Sequence, residues 1–337
     1  MGTDARLHIR SAGGGTTLQD AGRHGYLRYG ITPAGPMDPL AFASANKAVD
    51  NPAGTTAIEI SLGGLSLTVE DAPVDVALVG NGFRIDCDGR PLPCATALSL
   101  RPGSQLTVRA GQAGAWCYLA MAGMIDAVPK LGSTATHTRS GFGGVDGRAL
   151  TAGDILAISE SRAVVGEPSI LTVPWLERPV GTVRVVLGPQ DDYFDPDAIA
   201  AFLAGSWRIG ARGDRMACFL EGAPIRARSH DIVSDGIAIG SIQVPGTGQP
   251  IVLMADRQPT GGYPKIATVT AADLGVLAQA RAGDAVRFVA VSVEEAVSAR
   301  RKEREALMRG IVRHPIVRKD FTSEFLLAQN LIDGVVG

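Results

Sequence analysis

The densest group of chemically reactive side chains lies in residues 255–267, directly behind the apolar run of residues 251–254. This segment contains Asp256, Arg257, Gln258, Gly261, Gly262, Tyr263 and Lys265. A carboxylate can orient or deprotonate a nucleophile, a phenol can donate a proton, and a compact ammonium can stabilise an anionic oxygen. Loops on rigid strands often carry such groups. We therefore predict a functional loop here.

A second polar, glycine-rich segment spans residues 18–38 and contains Gln19, Asp20 and Arg23. It is too long for a simple hairpin turn, and loops of this length are commonly functional. The alternative is a surface loop in which Asp20 and Arg23 pair with each other. Asp38 directly precedes Pro39, so a helix cap explains it better than a catalytic role.

A third polar group combines residues 212–216, 234–236 and 241–245. Arg215 could hold a carboxylate or phosphate through its planar guanidinium group, and Gln243 could bind substrate. The alternative is structural: Asp214 pairs with Arg212 or Arg215, and Gln243 only bonds within a strand. The sequence leaves both interpretations open.

Several classes of function are excluded or disfavoured. The glycine-rich residues 139–147 could cradle an anion, but the sequence contains neither nucleotide-binding fingerprint and no G-x-S-x-G nucleophile motif. Five scattered histidines and four cysteines without zinc spacing predict no metal site. Cys87, Cys94, Cys117 and Cys218 are predicted to be reduced, buried thiols, which favours a cytoplasmic protein.

Composition and charge limit the partners of the 337-residue chain. Its formal net charge is −2, and its isoelectric point is about 6.2. No basic field is available for a nucleic acid or an anionic membrane. No apolar stretch has the length that a bilayer requires. We therefore predict no nucleic-acid partner and no membrane association.

Short alternating apolar runs predict a mainly β protein. Strands are predicted at residues 65–69, 74–79, 106–108, 183–187 and 286–291. Helices are predicted to begin at Asp38, Asp195, Thr270 and Ser292, the last two with capping boxes. A turn pattern with glycine before Ser or Asp recurs at residues 101–104, 151–154 and 281–284. This recurrence suggests two related β domains joined around residues 160–180.

Seven blocks of sequence resemble the biotin-dependent carboxyltransferase-like family. This family includes the C subunit of bacterial 5-oxoprolinase, allophanate hydrolase subunit 2 and the carboxyltransferase region of urea carboxylase. The resemblance extends from about residue 19 to residue 291. Its blocks are residues 18–23, 34–38, 59–64, 139–144, 188–190, 214–216 and 255–265.

The resemblance implies two cyclophilin-like β-barrel domains with a few short helices. The expected boundaries are residues 1–175 for the N-terminal domain, 176–292 for the C-terminal domain, and 293–337 for a helix and tail. The apolar residues of the tail, between Phe321 and Ile332, could dock on this chain or on a partner.

The resemblance also implies a function. The chain would be an amide (lactam) hydrolase subunit that acts on C–N bonds, is inactive alone, and hydrolyses 5-oxoproline to glutamate in an ATP-dependent complex. Its partners would be homologues of the B subunit (KipI-like) and of the A subunit. One alternative is the carboxyltransferase subunit of a biotin-dependent urea or amide carboxylase. Another is a regulatory binding protein that acts through a partner resembling the B subunit.

The residues of the predicted site receive the following roles. Lys265 stabilises an anionic oxygen, Tyr263 donates a hydrogen bond or proton, and Asp20 or Asp256 orients or deprotonates a nucleophile. The predicted substrate-binding residues are Gln19, Arg23, Arg215, Gln243, Arg257, Gln258, Gly261 and Gly262. The alternative is that Asp256 pairs with Arg257 to brace the turn while Lys265 is solvated.

Overall fold

The computed structural model describes residues 5–173, 178 and 181–316. The chain is mostly β, as predicted. Residues 5–173, here called the N-terminal half, form two seven-stranded sheets, to which residues 312–315 add one strand. Residues 182–290 contain a closed seven-stranded barrel, here called the barrel. The predicted tail from residue 317 onwards lies outside the described residues.

The two sheets of the N-terminal half pack face to face. In spatial order, the first contains β11 (Met124–Ile125), β12 (Ile155–Ser159), β1 (Ala5–Ala12), β4 (Leu65–Glu70), β9 (Gln105–Arg109), β6 (Arg84–Cys87) and β7 (Arg90–Leu92). The second contains β2 (Thr17–Gln19), β3 (Ala57–Ile60), β10 (Cys117–Met121), β5 (Val74–Gly80), β8 (Ala95–Leu100), β13 (Ser169–Thr172) and β23 (Val312–Pro315). Alternating side chains from both sheets, such as Leu67 and Leu78, form one buried core.

The barrel encloses a second core. Its strands, in order, are β14 (Thr182–Leu187), β21 (Lys265–Val269), β18 (Ser241–Gln243), β19 (Ile251–Leu253), β16 (Ala217–Glu221), β15 (Trp207–Gly213) and β22 (Ala285–Ala290). Phe202 stacks on Phe288 with ring centroids 5.0 Å apart, and Trp207 packs beside them. A two-residue ribbon, β17 (Asp235–Gly236) with β20 (Thr260–Gly261), lies outside the barrel wall.

Four helices complete the described structure: α1 (Pro39–Ala48), α2 (Pro196–Ala204), α3 (Leu274–Ala278) and α4 (Val293–Arg309). Asp38 caps α1 through the amides of Leu40 and Ala41, and Ser292 with Glu295 forms the predicted capping box of α4. The predicted start of α3 at Thr270 was wrong, because this helix begins at Leu274 after Asp273. The carboxylate of Asp273 instead binds the backbone and guanidinium of Arg184.

The three recurring sequence patterns form three matching turns. In each turn, the glycine N–H donates to the carbonyl of a strand residue, and the N–H of that strand residue donates to the carbonyl of the last turn residue. The strand residues are Val69, Ile9 and Ile209. In each, the side chain of Ser104, Asp154 or Asp284 accepts from the first backbone N–H of its turn. The glycines have φ angles of 91°, 94° and 91°, which disfavour a side chain.

The four cysteines are free thiols. Cys117 is buried as predicted, whereas Cys87, Cys94 and Cys218 are half-buried, so the prediction of buried thiols was wrong for these three. Within residues 5–173, 178 and 181–316, no helix combines the length and apolar character needed to cross a bilayer.

Candidate active site

Lys265 begins strand β21 and has a buried side chain, only 1% exposed. Its ammonium donates to the carboxylate of Asp235 at 2.9 Å, and Asp235 lies on the ribbon outside the barrel wall. The interpretation of Lys265 as a solvated side chain was therefore wrong. The site therefore pairs a buried amine with a half-exposed carboxylate.

Gln243 and Arg257 lie next to this lysine. Gln243 is opposite Lys265 in the register of β18 and β21, and its buried Nε2 has no hydrogen-bond partner among the described residues. Arg257 donates its Nε to the carbonyl of Ile237 at 3.0 Å. Burial lowers the pKa of Arg257 to about 10, against an opposing effect of Asp256. These groups are hydrogen-bond donors, so they favour a ligand with acceptor or anionic oxygens.

The ribbon places part of the predicted functional loop, residues 260–261, against the donor group formed by Lys265, Gln243 and Arg257. Gly261 pairs with Asp235, and a Cβ atom on Gly261 would meet Gln243 Nε2 at 2.6 Å and Ile237 Cδ1 at 2.7 Å. Glycine is therefore required for the close approach of the ribbon to the amide. Tyr263 follows with 43% of its surface exposed, while Gln258 is exposed and Gly262 is half-buried.

Gln19 ends strand β2 and Asp20 begins the loop that follows, and internal hydrogen bonds hold both residues. Gln19 is buried and bonds Thr17, the Thr136 carbonyl and the Gly35 amide. Asp20 accepts from Gly22, from Ser133 at 2.6 Å, and from the amide and hydroxyl of Thr134. These contacts stabilise the loop conformation.

Arg23 is buried in the same loop. It donates to the carbonyls of Lys130 and Ala135 and lies 4.8 Å from the ring centroid of Phe142. Its Nη1 has no partner among the described residues. Burial lowers the pKa of Arg23, while Asp20 and Asp256 act in the opposite direction. The alternative that Asp20 pairs with Arg23 was therefore wrong, because each side chain bonds other residues.

Arg215 joins the N-terminal half to the barrel. Its Nε and Nη2 bond the two oxygens of Asp256 at 2.9 and 2.8 Å, Nη1 bonds Glu59, and Nη2 also bonds the Gly35 carbonyl. Burial alone would lower the pKa of Arg215, but Glu59 and Asp256 raise it above its ordinary value. The pairings considered from sequence, Asp256 with Arg257 and Asp214 with Arg212 or Arg215, were wrong; the carboxylate of Asp214 accepts from the amides of Met216 and Ala217.

Glu59 extends this buried network. Its second carboxylate oxygen accepts from the Met37 amide and from the Tyr118 hydroxyl, both at 2.7 Å. Burial raises the pKa of Glu59, while Arg215 and the two hydrogen bonds act to lower it. Sequence reasoning missed Glu59 as part of the network, although it begins one of the family-like blocks.

A cavity of about 490 Å³ lies between the N-terminal half and the barrel. Its lining includes Arg215 and Asp256, together with Trp116 and Met216. Lys265, Gln243 and Arg257 are not among the described residues that line this cavity. Asp256 therefore lies beside the cavity, whereas its sequence neighbour Arg257 lies in the group around Lys265. The predicted site residues divide into a donor group around Lys265 and a buried network beside the cavity.

Residues 29–290 match the family described as "Carboxyltransferase domain, subdomain A and B". The chain belongs to this family, as the sequence blocks indicated. It is 39% identical to the C subunit of 5-oxoprolinase from Escherichia coli (strain K12), over 88% of this chain and 95% of that protein. It is 34% identical to the C subunit of 5-oxoprolinase from Haemophilus influenzae, over 85% of this chain and 91% of that protein.

The fold is also similar to a solved structure, the urea amidolyase of K. lactis. The TM-score is 0.84 at 25% sequence identity, and the match covers 90% of this chain and 20% of the urea amidolyase chain. The family thus includes both separate subunits of this length and segments of much longer proteins.

Proposed function

We propose that this chain is the C subunit of a 5-oxoprolinase that hydrolyses 5-oxoproline to glutamate. The observation that carries the proposal is the similarity to two proteins of that name over 95% and 91% of their lengths. The match to urea amidolyase covers only 20% of that chain. A separate subunit is therefore the better functional comparison.

We further propose that hydrolysis requires ATP and the homologues of the A and B subunits, that this chain is inactive alone, and that the complex is cytoplasmic. Both bacterial relatives are named as one lettered subunit of 5-oxoprolinase, which supports a complex of several subunits. The ATP requirement is assigned to the assembled complex, without a binding site on this chain.

The donor group around Lys265 matches the chemistry of the substrate. 5-Oxoproline carries a lactam carbonyl and a carboxylate, which are both hydrogen-bond acceptors. In our proposal, Lys265 stabilises the negative charge that develops on the lactam oxygen. Gln243 Nε2 and Arg257 hold the carboxylate, because a donor left without a partner in a buried site is costly. The phenol of Tyr263 donates a proton or hydrogen bond at the exposed side.

The two aspartates are proposed to orient the site. The carboxylate oxygens of Asp256 bind Arg215, and those of Asp20 accept bonds from three residues of the N-terminal half. Carboxylates committed in this way are poorly placed to remove a proton from substrate. Of the two roles that sequence suggested, orientation is therefore the one that the contacts support.

A second candidate function is carboxyl transfer in a biotin-dependent urea or amide carboxylase. The fold similarity to urea amidolyase, with a TM-score of 0.84, favours it. The donors around Lys265 also fit the ureido oxygen of biotin, which is a hydrogen-bond acceptor, or a carboxylate carried on it. Under this function, bound biotin would carry the carboxyl group, and Lys265, Gln243 and Arg257 would hold its oxygens.

Reconstitution tests the first proposal. The chain is co-expressed with homologues of the A and B subunits, and ATP-dependent glutamate release from 5-oxoproline is measured with each component omitted in turn. We expect activity only from the full set. Lys265→Met is expected to lower kcat by roughly a hundredfold, as for loss of one oxyanion donor. Lys302→Met, on the exposed face of α4, is the matched control and should retain full activity.

The outcomes separate the candidates. If an assembled complex releases no glutamate but carboxylates urea or an amide when supplied with a biotin carboxylase and carrier, the second function replaces the first. If glutamate is released and Lys265→Met stays within a few fold of the unmodified complex, the function stands and the role of Lys265 is wrong.

A further inference from the structure

Two residues outside the predicted site hold the reactive end and the backbone of Lys265. Asp235 accepts from Lys265 Nζ at 2.9 Å, and the carboxylate is 50% exposed although the lysine side chain is 1% exposed. Within residues 5–173, 178 and 181–316, Asp235 is the ion-pair partner of this ammonium. The position of the positive charge at the mouth of the site therefore depends on Asp235.

Gln190 binds both members of this pair. Its Nε2 donates to the same oxygen of Asp235 at 3.1 Å, and its Oε1 accepts from the Lys265 backbone N–H at 3.2 Å. The Gln190 backbone N–H donates to the Lys265 carbonyl at 3.1 Å. Gln190 thus fixes the main chain of Lys265 on both sides and holds the carboxylate that its ammonium contacts.

The orientation of Asp235 is itself fixed. Its other oxygen accepts from the Gly236 amide at 2.7 Å, and its backbone pairs with Gly261 on the ribbon. The hydrogen bond from Lys265 lowers the pKa of Asp235, with Gly236 and Gln190 contributing in the same direction. The group remains a carboxylate at neutral pH, so it is a permanent acceptor for the ammonium.

We propose that Asp235 and Gln190 are positioning residues for Lys265, and that they hold its ammonium where an anionic oxygen of the substrate binds. A lysine side chain has four flexible bonds, and without a fixed partner it samples many conformations. The amide of Gln190 restrains the base of this side chain, and Asp235 restrains its tip. This inference rests on the proposed function only for the identity of the substrate.

The first test uses the isolated full-length chain and needs no activity. The chain is treated with the N-hydroxysuccinimide ester of acetic acid, and acetylation of Lys265 is followed by peptide mass spectrometry relative to Lys302. In Asp235→Asn the amine loses the ion-pair partner that holds it against the ribbon, so it is freer to meet the reagent. We expect Lys265 to be acetylated up to about fivefold faster, since an exposed ion pair contributes up to about that factor. Asp231→Asn, nearby on the same exposed segment, should leave the rate unchanged.

The second test uses the reconstituted complex. Asp235→Asn and Gln190→Ala should lower kcat by about tenfold and change KM much less, because the ammonium is present but misplaced. Urea unfolding of each variant establishes that the chain is folded. Equal acetylation rates of Lys265 in folded Asp235→Asn, Asp231→Asn and the unmodified chain would overturn the proposal. A complex without oxoprolinase activity but with accelerated acetylation in Asp235→Asn would overturn the proposed function and keep the positioning role.

Discussion

Gly261 shows how a single missing side chain shapes the candidate site. The ribbon strand β20 lies so close to Gln243 that a methyl group at Gly261 would meet Nε2 at 2.6 Å. On the partner strand β17, a methyl group at Gly236 would enter open space. The two glycines therefore form a matched pair in which one faces the site and the other faces solvent.

We expect Gly261→Ala to displace the amide of Gln243 and to lower kcat/KM of the reconstituted complex by about tenfold or more, because small misplacements of binding groups are costly. Gly236→Ala should retain full activity. The cost of Gly261→Ala in unfolding free energy should be about 1 kcal/mol, as for mild overpacking. Steady-state kinetics and urea unfolding provide the two measurements. Equal kcat/KM values for both variants would show that the position of the Gln243 amide is unimportant.

At this scale, residue types were easier to predict than partners. The concentration of Asp256, Arg257, Tyr263 and Lys265 behind an apolar strand predicted a functional loop. The partner of Lys265 is 30 positions away in the chain, and the Glu59 partner of Arg215 is 156 positions away. No local pattern encodes such pairs, because they depend on how strands assemble into sheets.

Among the elements, the three matching turns allow a controlled comparison. Asp154 and Asp284 occupy the same position and accept the same backbone hydrogen bond. Asp154 also receives two bonds from the guanidinium of Arg148, at 2.8 and 2.7 Å. This hydrogen bonding is the main reason that the pKa of Asp154 is lowered.

Asp154→Ala should therefore lower the unfolding free energy by about 2 kcal/mol at pH 7, and Asp284→Ala by about 1 kcal/mol. Because the folded-state pKa of Asp154 is below its unfolded value, its contribution is complete above the unfolded pKa and is lost as pH falls through the folded pKa. Urea unfolding at several pH values measures both effects. An Asp154→Ala deficit that stays constant into the acid range would contradict the assigned role of the Arg148 pair.

The elements themselves were predicted well where the signal is local. All five predicted strands are present, and helices begin after Asp38, Asp195 and Ser292 as predicted, although the Asp195 side chain makes no capping hydrogen bond. The start of helix α3 was predicted wrongly because the spacing of Thr270 and Asp273 resembles a capping box. The backbone N–H of Thr270 instead bonds the Arg184 carbonyl, and Asp273 is used by Arg184. A contact distant in sequence therefore overrode the local pattern.

For the whole molecule, Arg215 forms a buried charged contact between the N-terminal half and the barrel. Its side chain is 7% exposed, and those of Glu59 and Asp256 are 0% and 5% exposed. Removing one member of a buried ion pair leaves the other charges without compensation. The exposed pair of Arg228 and Asp195 provides a comparison with the same residue types.

We expect Arg215→Met to lower the unfolding free energy by about 3 to 5 kcal/mol, and Arg228→Met by less than about 1 kcal/mol. Urea unfolding followed by tryptophan fluorescence measures both, since Trp207 is buried in the barrel core. Similar losses in the two variants would show that the buried network does not join the two parts energetically.

The strand β23 has a consequence for how the chain is organised. It returns from α4 to pair with β13, and Val312 lies opposite Thr172. The barrel and α4 therefore occupy the connection between two neighbouring antiparallel strands. In topological terms, the barrel is an insertion between two paired strands of the N-terminal half, here called the host, and the insertion begins and ends at neighbouring positions. A short turn joining Thr172 to Val312 would leave both host sheets with all their strands, so the host is a natural acceptor for a different inserted domain.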